Sequence, residues 1–307
     1  MPAFNGARWL RAALESALAQ TWGDFELILA DNASTDDTVE IATSYGDARV
    51  RVVPADRTIG VMANHNRAIR LSRGQFIKFL DVDDQLLPDC LEQMVGLALE
   101  DARIALVFAP RRVLLDSRAD AEWAETFARP HEHFGQLRRI NDGRDLFRKL
   151  LSAGFEENWI GEPSAVLVRR RSLERVGLFN ERLFQLTDLE LWARIAHDHQ
   201  LGFVDRILSV YRHHELSVTV QNARVRRDWF DQVWLLEGLL TISNLSAEER
   251  SALRRLRRKA LRSALRAQIR RLAERRWTPE LASYLAYRVS PGRSSKRSSS
   301  QPRLHPP

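Results

Sequence analysis

The chain has 307 residues, 44% hydrophobic and 28% charged, a composition that suits a globular protein with one large domain or a domain plus an appendage. Its single cysteine, Cys90, excludes a disulfide framework and a cysteine-based zinc site and suits a reducing cytosol. No apolar run reaches the ~18 residues of a membrane span, and the opening residues lack the charged-then-apolar pattern of a signal peptide.

The net charge of +7 conceals an asymmetry. From Arg250 onward 17 Lys and Arg face two acids, Glu274 and Glu280, and before it 30 basic residues face 38 acidic ones. An acidic body of −8 thus carries a basic segment of +15, the pattern of a tail that meets anionic lipid or nucleic acid.

The first hundred residues alternate between helix and strand patterns. WLRAALESALAQ places Leu10, Ala13, Leu14, Ala17 and Leu18 on one helical face. DFELILADN reads as a buried parallel strand, STDDTVEIATSYG as a capped helix ending at Gly46, and ARVRVVP as a second strand. GVMANHNRAIRLSRG is a helix closed by Gly74, QFIKFLDVDD a third strand, and LLPDCLEQMVGLALE a helix with Pro88 near its first turn. This alternation predicts a doubly wound α/β sheet. Farther on, RIALVFAPRRVLL and PSAVLVRR read as strands separated by a polar stretch, 116–157. DLELWARIAHDH is a helix, and GFVDRILSVYRHH a last strand or strand pair. Beyond Asn222 the chain is helical and Arg-rich, and its final VSPGRSSKRSSSQPRLHPP has a disordered composition.

Ligands of open α/β sheets bind beyond the carboxyl ends of the strands. Two predicted strands end there in acids: Asp31, and the Asp81, Asp83 and Asp84 of DVDD. Asp81 and Asp83 are two apart, so in an extended segment both side chains point the same way, and their repulsion calls for a cation or strong donors. Hard oxygen ligands at a strand end suit Mg²⁺ or Mn²⁺ carrying a diphosphate, the alternative being a solvated turn or helix cap. Asp36 reads as a helix cap. Arg8, Arg67 and Arg70 read as solvated faces and Trp192 as a packing residue, while Trp159, just ahead of PSAVLVRR, reads as either packing or sugar stacking.

Five segments in this order resemble the family 2 glycosyltransferases, inverting enzymes of the GT-A fold: PAFNGARWLRAALESALAQTWGDFELILADNASTDDT, GVMANHNRAIRLSRGQFIKFLDVDDQLLPDCLE, EPSAVLVRRRSLERVGLFNERL, TDLELWARI and YRHHELSVT. The resemblance implies a GT-A domain over residues 1–220, with a nucleotide-binding half to about 115 and an acceptor half from 116. A helical basic extension, 221–289, and a disordered tail, 290–307, follow. The resemblance further implies that Pro2, Ala3 and Phe4 run along the nucleotide base and that Asp31 accepts from base or ribose, favouring a uracil or thymine ring. Asn66 would help hold the nucleotide or order its loop, and Asp81 would face the ribose and the metal shell. Asp83 would ligate a divalent ion, Mn²⁺ or Mg²⁺, which His214 completes, and Asp188 would be the general base. His213, adjacent to His214, is expected to be exposed. The family pattern has two adjacent acids at the base position, whereas Thr187 precedes Asp188 here; Glu190 is the substitute if the register shifts.

The implied function is inverting transfer of a sugar from a UDP- or dTDP-linked donor to an acceptor hydroxyl in cell-surface polysaccharide or glycan synthesis, in the cytoplasm. The acceptor would be a glycan or lipid-linked. RSALRRLRRKALRSALRAQIRRLAERR reads either as a helix packing its Leu stripe on the core or as a basic amphipathic helix in peripheral contact with anionic membrane; nucleic acid is the third reading. Two rivals for the whole chain are a catalytically impaired glycosyltransferase-like scaffold and a nucleotidyltransferase, though no Gly-rich phosphate loop is found for the latter. The resemblance also implies an apolar strand ahead of MPAFNG, which makes Met1 an internal residue at the end of that strand.

Overall fold

The computed structural model describes residues 1–115, 124, 127–225 and 230–273; the sequence expectations for most of 116–126, for the end of the basic helix and for the tail lie outside the described residues. Helices and strands alternate through the first hundred residues as the pattern predicts. β1 (Pro2–Ala3) leads into α1 (Ala7–Leu18), β2 (Leu27–Asp31), α2 (Thr38–Ser44), β3 (Val50–Val53), α3 (Val61–Leu71), β4 (Phe76–Lys78), β5 (Gln85–Leu86) and α4 (Cys90–Glu100). Leu10, Ala13, Leu14 and Ala17, at helical spacing, are the buried face of α1. All five residues of β2 are buried, as its unbroken apolar run requires.

RIALVFAPRRVLL forms two strands, β6 (Ile104–Phe108) and β7 (Arg111–Leu115), divided at Pro110. They are followed by β8 (Ile140–Asp142), α5 (Gly143–Ser152), β9 (Val166–Arg169), α6 (Arg170–Val176), α7 (Thr187–Asp198), β10 (Gln200–Phe203) and β11 (Ser209–His213). The Asp142 carboxylate caps α5 by accepting from the Arg144 and Asp145 amides.

The strands form three sheets, ordered β1-β2-β3, β4-β9-β6-β10-β8 and β5-β11-β7. β1, β2 and β3 run parallel, as do β6 with β10 and β7 with β11. β9 inserts antiparallel between β4 and β6, so the central sheet is mixed rather than doubly wound throughout. Strand direction has no signature in an apolar run buried on both faces, which is why PSAVLVRR did not reveal it.

Two apolar cores flank the central sheet. One lies beneath α1 and α4. The C-terminal helices are α8 (Val218–Val225), α9 (Asp231–Leu239) and α10 (Ala247–Ala273), and the second core gathers α5, α7, α9 and α10. Leu253, Ala260 and Ala264 of α10 are buried in that second core, so its Leu/Ala stripe packs on the body. α10 begins with a reciprocal cap: the Glu249 amide donates to Ser246 Oγ and the Ser246 amide donates to Glu249 Oε2. Glu249 also takes Arg144 and Arg148 of α5, which moors the basic helix to the body. No described helix is long and apolar enough to cross a membrane.

Candidate active site

β2 ends at Asp31, β4 runs into the Asp81–Asp84 turn and β11 delivers His214, so the acids and the histidine gather at one edge of the sheets. The turn after β1 crosses close to the acidic turn: a Cβ on Gly6 would sit 2.7 Å from Val82 Cγ2, so a larger residue there would force Val82 to shift.

The three acids of DVDD take different surroundings. Asp81 Oδ1 is 3.2 Å from His65 Nε2, and the Asp81 amide donates to Ser164 Oγ. Burial alone would raise the Asp81 pKa, but the His65 bond, the Met1 ammonium and Lys78 hold it below the usual carboxylate value. Asp83 Oδ2 is 2.9 Å from His214 Nε2, and the His214 ring stacks on Trp9 at 4.0 Å. Asp84 is buried and accepts from the Arg212 amide; burial and the charges of Asp83 and Asp81 push its pKa well above the usual value. It therefore anchors β11 beneath the site, while Asp81 and Asp83 reach the cleft.

Asp83 and His214 are the side chains that fit a divalent ion. No cluster of three or more His, Cys, Asp or Glu side chains placed to hold a metal occurs among the described residues. A two-ligand site suits an ion whose remaining ligands come from phosphate and water. In the present arrangement His214 Nδ1 accepts from the Leu216 amide, so Nε2 carries the proton and donates to Asp83. Ligation through Nε2 requires that proton to leave.

Pro2 and Ala3 are buried against β2, while Phe4 is 49% exposed at the cleft. Asp31 is only 1% exposed and accepts from both the amide and the hydroxyl of Ser34. Ser34 Oγ in turn accepts from the Asn5 amide, so it joins the β1 turn to Asp31. Asn66 differs from the nucleotide-contacting side of its expectation. Its amide donates to Phe179 O and Glu181 Oε1 and accepts from the Phe179 amide. Both ends are taken by loop 179–181, which it orders. The neighbouring His65 faces Asp81 instead, because adjacent helical residues point about 100° apart. Arg67 is not a solvated face: it donates to Asp31 O, Val53 O and Pro54 O, tying α3 to the ends of β2 and β3. His213 is half-buried rather than exposed.

Across the cleft, Asp188 stands in the first turn of α7. Its Oδ2 accepts from Asn158 Nδ2 at 2.9 Å and its Oδ1 accepts from the Leu189 amide. Burial raises its pKa to about 6, the two hydrogen bonds opposing and the nearby Glu162 charge assisting. Glu162 pairs with Arg111 at 2.7 Å with both side chains buried. Glu190 is buried against Arg194, which also donates to Val176 O and Leu178 O. This substitute for Asp188 is therefore turned into the protein and backed by Gly238 of α9, where a Cβ would meet its carboxylate.

Loop 158–164 connects the two sides. Gly161, at φ 126°, directs its carbonyl to Trp192 Nε1 and Asn158 Nδ2. At the loop's far end Ser164 meets both the Asp81 amide and Lys78 Nζ. Ser34, His65, Asn158 and Ser164 carry no signal in the sequence, since each is a common polar residue given meaning only by its distant partner.

The family model for glycosyl transferase family 2 matches residues 1–177. An uncharacterized protein of Mycobacterium tuberculosis (strain CDC 1551 / Oshkosh) is 34% identical over 240 residues, covering 78% of this chain and 74% of its own. Among solved structures, S. aureus TarS 1–349 in complex with UDP-GlcNAc superposes with a TM-score of 0.65 at 16% identity, over 85% of this chain and 70% of that one. The mannosyltransferase PcManGT of Pyrobaculum calidifontis, in complex with GDP-Man and Mn²⁺, gives 0.56 at 19% identity over 94% and 78%. The likeness to these structures is one of fold, a GT-A arrangement of mixed sheet and flanking helices. The matched family model and the mycobacterial relative together establish that this chain belongs to glycosyl transferase family 2.

Proposed function

We propose that the chain is a metal-dependent, inverting glycosyltransferase that moves a sugar from a UDP- or dTDP-linked donor to a hydroxyl of a glycan or lipid-linked acceptor in cell-surface polysaccharide synthesis. The observation that carries this reading is the state of the carboxylates of loop 158–164 and of the first turn of α7. Glu162 and Glu190 are locked to Arg111 and Arg194, whereas Asp188 has a pKa raised to about 6 and only amide donors among its hydrogen-bond partners. One acid tuned near neutrality is what a single general base requires.

In the proposed reaction the acceptor hydroxyl loses its proton to Asp188 as its oxygen attacks the anomeric carbon. The bond from that carbon to the diphosphate oxygen breaks on the opposite face, and its electron pair leaves with the diphosphate. One displacement with one base inverts the anomeric configuration, and no second carboxylate acts as nucleophile. Asp83 and His214 would hold the divalent ion, which supplies charge neutralisation to the leaving diphosphate. Asp81 stays ionised beside the ribose and the ion. Pro2, Ala3 and Phe4 border the base; Ser34 takes two of the roughly four lone-pair sites of Asp31, and the others remain for an imide N–H.

The chain would act in the cytoplasm at the inner face of the membrane. The support is α10, whose Arg255, Arg258, Lys259, Arg262, Arg266 and Arg270 line one groove on the side away from the core. Such a stripe attracts anionic lipid.

The test is a screen of nucleotide-sugar donors for release of the nucleoside diphosphate, with and without Mn²⁺, followed by assignment of the product anomer. Ion-dependent release and an inverted product are expected. Retention of configuration, or turnover untouched by Asp188→Asn, would overturn the reading.

A further inference from the structure

α1 buries Leu10, Ala13, Leu14 and Ala17. Trp9 lies about 100° around the helix from Leu10 and belongs to neither apolar core. An indole left half-buried outside the cores adds little to the fold and calls for another account. Its ring contacts supply one. The indole stacks on the His214 imidazole with centroids 4.0 Å apart and planes 29° from parallel, and the Arg8 guanidinium lies 5.0 Å from its centroid.

His214 needs such a hold. β11 pairs with β7 as far as His213, opposite Leu115, so His214 is the first residue beyond the ladder. Ser217 keeps its backbone in a turn: Ser217 Oγ accepts from the His214 amide, and the Ser217 amide donates to His214 O. The orientation of the ring is a separate matter. Nδ1 accepts from the Leu216 amide at 3.2 Å, and Nε2 donates to Asp83 Oδ2 at 2.9 Å. The second of these bonds is surrendered if both side chains turn to one ion. What then remains is the longer Leu216 bond and the face of Trp9, into which a turn about the Cβ–Cγ bond would drive the edge of the imidazole. A histidine ligand is fixed in this way by contacts from outside the ligand set.

We propose that Trp9 is a positioning residue of the ion site. Its indole face holds the His214 imidazole with Nε2 toward Asp83. The same face meets the positive charge that the ring shares once Nε2 ligates an ion, a contact of the cation–π kind. The role rests on Asp83 and His214 being the ion ligands, whereas the hold on the ring exists without an ion.

Trp9→Leu keeps an apolar side chain but removes the flat face, and Trp9→Phe restores the face. Two readouts are taken on the full chain of each form. In the ion-free protein, nitrogen NMR reads the His214 Nε2–H signal, identified by its loss in His214→Gln. That signal is expected to persist in the parent and the Phe form and to broaden away in the Leu form. Calorimetry reads UDP binding with and without Mn²⁺. The Leu form is expected to lose about tenfold of the affinity that Mn²⁺ adds, with ion-free binding unchanged, and the Phe form to keep most of it. Equal behaviour of the Leu and Phe forms in both readouts overturns the proposal. If UDP binding by the parent ignores Mn²⁺, the ion reading falls and the ion part of the role with it, while loss of the His214 signal in the Leu form alone still upholds the hold of Trp9 on the ring. Because Trp9 lies outside both cores, thermal unfolding should differ little among the three forms. Should the Leu form fail to fold, Trp9→Met, unbranched and without a flat face, takes its place and keeps the comparison intact.

Discussion

On the strand-edge side of the cleft, Asp81 lies against His65 and Asp83 against His214, with the Met1 ammonium and Lys78 adding positive charge. On the α7 side, Asp188 receives only the Asn158 and Leu189 amides, and burial outweighs both. The same residue type is held charged on one side and driven toward its proton on the other. Holding a cation and a diphosphate needs fixed charge, while taking a proton from a hydroxyl needs a carboxylate whose affinity for that proton has been raised.

The largest effect should come from removing the proposed proton acceptor. Asp188→Asn is expected to lower the transfer rate by about 10²–10⁴-fold with the donor KM unchanged, measured as nucleoside diphosphate release. The same variant should be more stable than the parent. A carboxyl with a folded pKa of about 6 and an ordinary value of 3.8 opposes folding once it must ionise. The stability gap should therefore be absent below about pH 4, open between pH 4 and 6, and reach about 3 kcal/mol above that, as read by urea unfolding. Lower activity together with higher stability distinguishes a functional carboxylate from a structural one.

On the other side, Asp83→Ala should abolish the strengthening of nucleotide binding by Mn²⁺, with at least a tenfold loss of affinity in its presence and little change without it. Calorimetry with the nucleoside diphosphate, with and without the ion, checks this. Asp84→Ala would instead damage the fold, since Asp84 is buried beneath β11 and accepts from the Arg212 amide. Unequal outcomes at adjacent positions would show that DVDD is divided in its roles.

The pH profile reads both sides at once. With Asp188, the proposed base, raised to about 6, kcat/KM should fall tenfold per unit below pH 6 and level off above it. A limb displaced below pH 5 would mean that Asp188 lacks the raised affinity inferred from its burial.

Much of this frame is legible in the sequence, because apolar period and capping residues act locally. The alternation up to α4, the burial of the Leu10, Ala13, Leu14 and Ala17 stripe, and the placing of Asp31, Asp81 and Asp83 at strand ends all follow from it. Illegible were the features fixed by distant partners. Asn66 and His65 are neighbours on one helix, and only the packing of loop 179–181 shows that Asn66 serves the loop while His65 serves Asp81. Arg67 looks solvated until β2 and β3 present their carbonyls to it. The antiparallel entry of β9 likewise depends on its neighbours, since its residues would be equally apolar in either direction.

The smallest effect tests whether the α7 side is held in place by the C-terminal helices. Asp231 opens α9, and its Oδ2 accepts from the amides of Phe184, Gln185 and Leu186, the turn that leads into α7. This carboxylate fixes the start of the helix that carries Asp188 without touching Asp188 itself. Asp231→Asn keeps an acceptor but loses the charge, which should weaken these bonds by about 1–2 kcal/mol in total. The expected result is a fall in kcat of a few fold, with the donor KM and the limb near pH 6 unchanged. If the limb moved instead, Asp231 would be acting on the Asp188 proton through its field rather than on its position. If neither kcat nor stability changed, the turn before α7 would be held by the packing of Leu183 and Leu189 in the second core, and the α7 side would owe its geometry to apolar contact alone.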